Sequence, residues 1–294
     1  MIVASFTGPQ SGKLLLVMLL MLVNWSIEAT KWKILVQPVQ TVSYWRALKA
    51  VFSGHALAFN SINRLGESAG RAIFMDEGNR LRGATISMVG SMSQIIITLF
   101  LGLLCMVYMR LYILDATHHL EGLSLFWLNG LMSVLSLGTL VFIVMYYRLS
   151  WLIRLLEKIP LVAKYRFLVE RMEELHWLFL TKILFLSAAR YVVYVVQYVL
   201  LLQVFETGVG IVNAAALIGV MFLVLAIVPT ISLAELGFRG KVSISLLGLV
   251  TTNSVGIIAT AAGIWIINLI IPAIAGSIFL LGVRLFRNSK SREV

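Results

Sequence analysis

The chain has 294 residues, 60% of them hydrophobic and only 13% charged, and its mean hydropathy is +0.95. Soluble domains are typically about 25% charged and 45–50% apolar, so this composition excludes an ordinary soluble domain and points to a polytopic membrane protein. The net charge of +11 does not build a nucleic-acid-binding face, because the basic residues collect at the ends of apolar runs, where they report topology.

In chain order, the first predicted helix is 14–30 (LLLVMLLMLVNWSIEAT). No A-x-A-like cleavage site follows it, and Trp25, Lys31 and Trp32 suit interface anchors, so it reads as a retained helix and not a signal peptide. Residues 51–62 are apolar but too short to cross, since a crossing takes about 20 residues. Flanked by Arg46 and Lys49 and by Arg64 and Arg71, the stretch 51–62 reads as a re-entrant helix, a form tolerated only where it is buried in protein or lines a cavity; the sequence leaves open whether 51–71 crosses or folds back. Residues 84–109 and 123–147 are spans. Residues 150–181 alternate bulky apolar groups with Arg, Lys and Glu and contain Pro160, as an interfacial amphipathic helix does. Residues 182–205 form a span interrupted by Arg190. The run 211–230 spans and stops at Pro229, 242–255 is again short, and 257–283 is a last span holding Pro272.

The expected fold is therefore an all-α polytopic membrane helix bundle with seven or eight membrane helices, re-entrant ones among them. It forms a single integral membrane domain, 1–294, in two related halves of about 1–147 and 182–284 around the segment 148–181. That segment carries Arg148, Arg154, Lys158, Lys164, Arg166 and Arg171, followed by Lys182, and the tail carries Arg284, Arg287, Lys290 and Arg292. By the positive-inside rule both are expected to be cytoplasmic, and the connections at 110–122 and 206–211 external. Cys105, the one cysteine, lies inside the apolar run ITLFLGLLCMVYM, which leaves no disulfide framework and no Cys-based metal site.

Two stretches carry the functional signal. NRLGESAGR holds Arg64, Glu67 and Arg71, and PTISLAELGFRG holds Glu235 and Arg239. Residues four apart share a helix face, so each Glu/Arg pair can form an ion pair. An acidic residue at mid-membrane costs roughly 2.5–3.5 kcal/mol on the insertion scale and seldom stands there unpartnered. A pair at the water interface that merely ends a helix is the plainer alternative. The accompanying Gly66, Gly70, Gly237 and Gly240, which let backbones or a ligand approach closely, weaken it. Broken apolar segments at matching places in two halves are the usual pointer to a transport site. Arg190 is the third anchor, with Tyr194 and Gln197 on the same helical face. Its side chain suits a lipid phosphate, for which Arg offers a planar fork of donors; the alternative is a structural pair with Glu67 or Glu235.

Other polar residues carry less. His55, near Asn60 and Asn63, reads as a hydrogen-bonded structural histidine more readily than as a proton relay. His118 and His119 lack a third ligand at metal spacing, and Asp76 and Glu77 look like a solvated turn. Asn253 and Asn268 suit interhelical hydrogen bonds. No nucleotide loop, hydrolase elbow or zinc signature appears, so no catalytic residue, metal or cofactor is expected.

Four pieces also resemble the lysylphosphatidylglycerol synthase transmembrane region family, the flippase-like proteins. They are NWSIEATKW (24–32, with Asn24, Trp25, Glu28, Lys31 and Trp32), NRLGESAGR (63–71), RYVVYVVQYVLLL (190–202) and PTISLAELGFRG (229–240), in family order. The first and third resemble a Bacteroidetes-type branch. The family usually has a proline just before its N-R-x-G-E motif, where this chain has Ile62, so a helix break there must come from Ser61–Asn63 and Gly66. The resemblance implies a bacterial inner-membrane protein related to the flippase half of the bifunctional aminoacyl-phosphatidylglycerol synthases. The chain ends at Val294, directly after the last span, so the soluble aminoacyl-transfer domain is expected to be absent.

The resulting expectation is a protein that moves, or binds, a polar-headed lipid. Arg71, Arg190 and Arg239 would engage the phosphate, and Glu67 and Glu235 would balance charge or contact a cationic headgroup. Membrane lipids are the expected partners, envelope-lipid biosynthesis enzymes are further candidates, and nucleic acid is not. Two alternatives stand beside it: a membrane transferase acting on a phospholipid or polyprenyl substrate, and a non-transporting subunit of an envelope-lipid pathway.

Overall fold

Long apolar runs bounded by charged or capping residues become helices, and there is no strand among the described residues. The computed structural model describes residues 10–59, 61, 66–114, 124–156, 170–228 and 232–290, without the side chains of 152, 155–156, 170–171, 232–233 and 283–290. The long helices are α1 (Ser11–Val36), α4 (Arg80–Tyr112), α5 (Leu125–Tyr147) and α7 (Trp177–Val204). A fifth long rod runs from α10 (Ser254–Trp265) through a π turn (Ile266–Ile270) into α11 (Ile271–Lys290). These five are long and apolar enough to cross a membrane, and the protein is a membrane-embedded helical bundle. The shorter helices are α2 (Tyr44–Ala58), α3 (Gly66–Ala72), α6 (Leu149–Leu156), α8 (Ile211–Ile227) and α9 (Ser232–Leu247).

The register between α1 and α7 defines the two ends of the bundle. Gln197 Nε2 donates to the Val17 carbonyl, Arg190 meets Asn24 and Glu28, and Lys31 Nζ donates to Ser187 Oγ. The helices are thus antiparallel, with Val36 and Trp177 at one end and Ser11 and Val204 at the other. In lipid, apolar side chains gain little from leaving the solvent for one another, so close packing and hydrogen bonds hold helices together. Small residues supply that packing between α4 and α8. A Cβ on Gly219 would lie 2.9 Å from Cys105 Cβ, and one on Gly102 2.7 Å from Leu223 Cβ. α5 is the most peripheral span, with Phe126, Val134 and Leu137 turned outward.

The α2–α3 segment is a helical hairpin. Its 15-residue and 7-residue arms are both too short to cross, and it leaves and returns at the Val36 end. There Arg46 Nε donates to the Phe74 carbonyl (2.5 Å) and Arg46 Nη2 to Asp76 (2.8 Å). The arms touch backbone to backbone: a Cβ on Gly70 would lie 2.8 Å from Gly54 Cα. Ser61 and Gly66 close the bend, Ser61 Oγ donating to the Ala58 carbonyl and accepting from Gly66 N–H. Asn63, the third residue expected to break the helix, lies outside the described residues.

The stretch 211–230 was expected to cross. α8 covers 17 residues of it, a length that can still cross, and α9 then runs back along α8, Ser243 Oγ donating to Met221 Sδ at 3.1 Å. α8 begins seven residues beyond the end of α7. After α9 the chain returns to that same end, where Thr251 Oγ1 donates to the Thr207 carbonyl (2.6 Å) and Asn253 Nδ2 to that of Phe205 (3.2 Å). The segment 242–255 is the end of α9 and this return loop. The bundle therefore holds two hairpins inserted from opposite ends, α2–α3 and α8–α9. Each carries its Glu-x-x-x-Arg pair on the returning arm. Phe59, at the end of α2, packs near Trp265, where α10 meets the π turn (centroids 6.4 Å apart).

The π turn has a local cause. Pro272 has no N–H for the residue 268 carbonyl, and its ring crowds that carbonyl in a regular α-helix. One wider turn before the proline relieves the clash. Of the amphipathic segment 150–181, residues 150–156 (in α6) and 170–181 fall among the described residues, with one turn at Glu170–Glu173. Its last five residues belong to α7, which starts at Trp177 and not at 182.

Candidate functional site

Glu28 organises the centre of the bundle. It lies about two thirds of the way along α1 with its side chain 3% exposed. Its Oε2 pairs with Lys31 Nζ at 2.8 Å and Arg190 Nη1 at 2.7 Å, and its Oε1 pairs with Arg71 Nη2 at 2.8 Å. Arg71 also pairs with Glu67 on its own helix. One carboxylate thus joins α1, α3 and α7. Arg190 is therefore paired directly with Glu28, and Glu67 is close enough to add to the attraction. Lys31, Trp25 and Trp32, expected as interface anchors, are buried instead. Lys31 belongs to this ionic centre, and Trp32 Nε1 donates to Ser87 Oγ at 2.9 Å. The neighbourhood explains the reversal, because Ser187 and the Gly90 carbonyl also receive Lys31 Nζ, at 3.4 and 3.5 Å.

A chain of amides leaves the ionic centre. Arg190 Nε donates to Asn24 Oδ1 (2.8 Å), Asn24 Nδ2 to Asn268 Oδ1 (3.2 Å), Asn268 Nδ2 to Gln197 Oε1 (3.2 Å), and Gln197 Nε2 to the Val17 carbonyl (3.0 Å). Each side chain is buried, and each amide is oriented by the next, which satisfies groups that would otherwise be costly at this depth. Asn268 sits in the π turn, so the Pro272 distortion helps present it to both neighbours. Asn253 does two jobs, capping α10 through Gly256 N–H and bonding Phe205 across helices.

Beside this core lies a cavity of about 360 Å³ bounded by α4, α7, α8, α9 and the π turn. Arg190, Tyr191 and Tyr194 come from α7, Phe222 from α8, Glu235 and Arg239 from α9, Gln94 and Thr98 from α4, and Trp265 and Asn268 from the long rod. Arg239 pairs with Glu235 and donates from Nη1 to Tyr198 Oη at 2.9 Å. Arg190 Nη2 reaches Tyr194 Oη at 3.4 Å. The wall thus offers two guanidinium groups, a carboxylate and four aromatic rings.

The structure divides the expected site residues into three groups. Arg190, Tyr194, Glu235 and Arg239 share the cavity. Glu67 and Arg71 lie at the ionic centre and not on the cavity wall, and Gln197 is fully buried in the amide chain. Arg64 lies outside the described residues, as do Asn60, Asn63, His118 and His119. Gly66 and Gly70 support close approach, a Cβ on Gly66 running into the Leu57 carbonyl. Gly237 and Gly240 do not: a Cβ on either meets nothing within 4 Å. They point away from Arg239, into a shallow apolar groove with Ala261 and Ala262 of α10. His55 is buried on α2, and Asp76 and Glu77 lie exposed in a turn. Among the described residues no cluster of His, Cys, Asp and Glu could hold a metal ion.

Arg190 alone belongs to both the ionic centre and the cavity. Counted together, the two hold four cations (Lys31, Arg71, Arg190, Arg239) against three carboxylates (Glu28, Glu67, Glu235), an excess of one positive charge among the described residues. Comparison with protein-family models, with curated proteins and with solved structures finds no match to this chain.

Proposed function

We propose that the protein is a lipid transporter of the flippase-like kind, which accepts an anionic headgroup in the cavity and carries it between the two faces of the membrane. One observation carries the reading. A cavity bearing Arg190 and Arg239 stands among helices long enough to cross a bilayer, and the described charged groups in and beside it carry one positive charge in excess. Ionisable groups in such a place are expensive and mark substrate pathways. The headgroup phosphate bonds the two guanidinium forks, Glu235 and the aromatic rings bound the rest of the headgroup, and the acyl chains stay in the bilayer. Two hairpins of opposite entry support the transporter class, because inverted repeats with broken helices are its recurring plan. The resemblance of four sequence pieces to the flippase-like family points the same way. The reading places the protein in a bacterial inner membrane, with 148–181 and the C-terminus cytoplasmic, in the service of envelope-lipid enzymes.

The test is lipid translocation in proteoliposomes with headgroup-tagged phosphatidylglycerol and, separately, phosphatidylcholine. Wild type moves the anionic lipid faster, and Arg239→Gln and Arg190→Gln lose that preference while reconstituting normally. Equal rates for the two lipids, or a preference that survives both substitutions, would refute the reading.

A further inference from the structure

The two hairpins carry the same Glu-x-x-x-Arg pair but are held differently. Arg71 of α2–α3 binds a carboxylate from outside its hairpin, Glu28, at 2.8 Å. The outside partner of Arg239 in α8–α9 is the phenol of Tyr198, at 2.9 Å. Glu28 serves two masters: Oε1 holds the hairpin through Arg71, and Oε2 holds Arg190, whose guanidinium faces the cavity. From this geometry we infer that Glu28 is a latch that couples occupancy of the cavity to closure of the α2–α3 hairpin. The inference rests on the reading of the cavity as an anionic-headgroup site.

The sign follows from charge. Glu28 is shared by three cations, Arg71, Lys31 and Arg190. An anion reaching Arg190 supplies the negative charge that Arg190 now draws from Glu28. The carboxylate is then divided between Arg71 and Lys31 alone, and its hold on Arg71 tightens. A filled cavity therefore keeps α2–α3 seated, and an empty one leaves Arg190 competing for the latch and the hairpin easier to release. By linkage the effect is reciprocal, so seating the hairpin also favours the anion. The element whose seating Glu28 holds is the α2–α3 hairpin, joined to it through Arg71. It packs on α11 where Gly276 meets the Phe52 carbonyl, and Ser53 Oγ donates weakly to the Gly276 carbonyl at 3.5 Å.

Ser53 supplies the probe, being fully buried in this contact. Ser53→Cys in a Cys105→Ser background keeps the shape, and its thiol meets a water-soluble uncharged maleimide only when α2 lifts from α11. Labelling is followed in vesicles of phosphatidylcholine alone and of phosphatidylcholine with phosphatidylglycerol. The anionic lipid slows labelling at least about fivefold, the lower end of the usual range for coupled sites. Adding Glu28→Gln speeds labelling in phosphatidylcholine and abolishes the lipid effect. Adding Arg190→Gln abolishes the lipid effect but keeps labelling slow, because Glu28 remains with Arg71 and Lys31. Slow labelling in folded Glu28→Gln protein, or a lipid effect that persists in Arg190→Gln, overturns the latch. If Glu28→Gln does not fold, the Arg190→Gln arm decides alone. A parent protein whose labelling ignores phosphatidylglycerol also overturns the coupling, and the translocation assay then judges the headgroup reading separately.

Discussion

Replacing Glu28 by Gln keeps the shape of the side chain and removes one charge from a site 3% exposed. Three cationic groups lie 2.7–2.8 Å from its oxygens. After the change Arg71 still has Glu67, whereas Lys31 and Arg190 have no other carboxylate within ion-pair distance among the described residues. With charge centres near 4 Å and an effective dielectric of about 20, each lost attraction is worth about 4 kcal/mol before solvation is counted. Desolvation cancels part of the gain in the native protein, but the cations left behind have already paid it. The net loss for breaking such a buried pair is about 3–5 kcal/mol. Reversible unfolding in mixed micelles measures it, with Glu77→Gln as the comparison. Glu77 is 76% exposed and pairs with Arg80 at 3.4 Å, so its loss changes stability by about 0–1 kcal/mol. The double change Glu28→Met with Arg190→Met recovers only the part of the loss that comes from Arg190, because Lys31 is still left without its carboxylate. A Glu28→Gln protein within about 1 kcal/mol of wild type would refute the claim that this carboxylate organises the core.

Gly70→Ala pushes a methyl group into the α2 backbone near Gly54 and lowers stability by about 1–3 kcal/mol, the usual range for overpacking. Gly237→Ala, with open space at its Cβ position, raises stability by about 0.5–1 kcal/mol through helix propensity; thermal unfolding of the two variants in one detergent checks both signs. Asn268→Ala strands Asn24 Nδ2 and Gln197 Oε1 and costs about 1–3 kcal/mol for each buried group left unpaired, read in the same assay. Asp76 is exposed, and the hydrogen bond from Arg46 holds its carboxyl below the ordinary aspartate value. A lowered folded-state value stabilises the protein above the unfolded-state pKa and loses that contribution as pH falls through the folded one. The difference between wild type and Asp76→Asn is therefore fully present above about pH 4 and declines below that, vanishing only below the lowered folded-state value, as a pH series of unfolding midpoints will report.

How much of this was legible in the sequence depended on the range of each signal. Helices with polar ends and apolar middles announce themselves locally, so α1, α4, α5 and α7 lie close to where hydropathy puts them. The ion pairs Glu67–Arg71 and Glu235–Arg239 were legible for the same reason, since four residues on one helix fix their separation. The course of α8–α9 was not. A 17-residue apolar helix satisfies the same hydropathy pattern whether it crosses or turns back, and the return is fixed by Thr207 and Phe205, more than forty positions from their partners Thr251 and Asn253.

Glu28 sets a harder limit. Its chain neighbours in NWSIEATKW suggested a helix approaching the water interface, with Lys31 and two tryptophans as anchors. Its actual partner Arg190 lies 162 residues away and Arg71 comes from another hairpin. One signal did exist. Asn24, Glu28 and Lys31 recur at intervals of four and three, the spacing of a single helical face, inside an otherwise apolar stretch. A polar face on a helix of that kind must look inward, and Arg190 is the polar interruption of another such helix. Two interruptions of opposite charge, each inside a span, are more cheaply satisfied by one another than by anything near them in sequence. That rule would have joined Glu28 to Arg190. It would not have supplied Arg71, because bringing α3 to the same carboxylate requires the hairpin to fold back, and only the three-dimensional path of the chain carries that information.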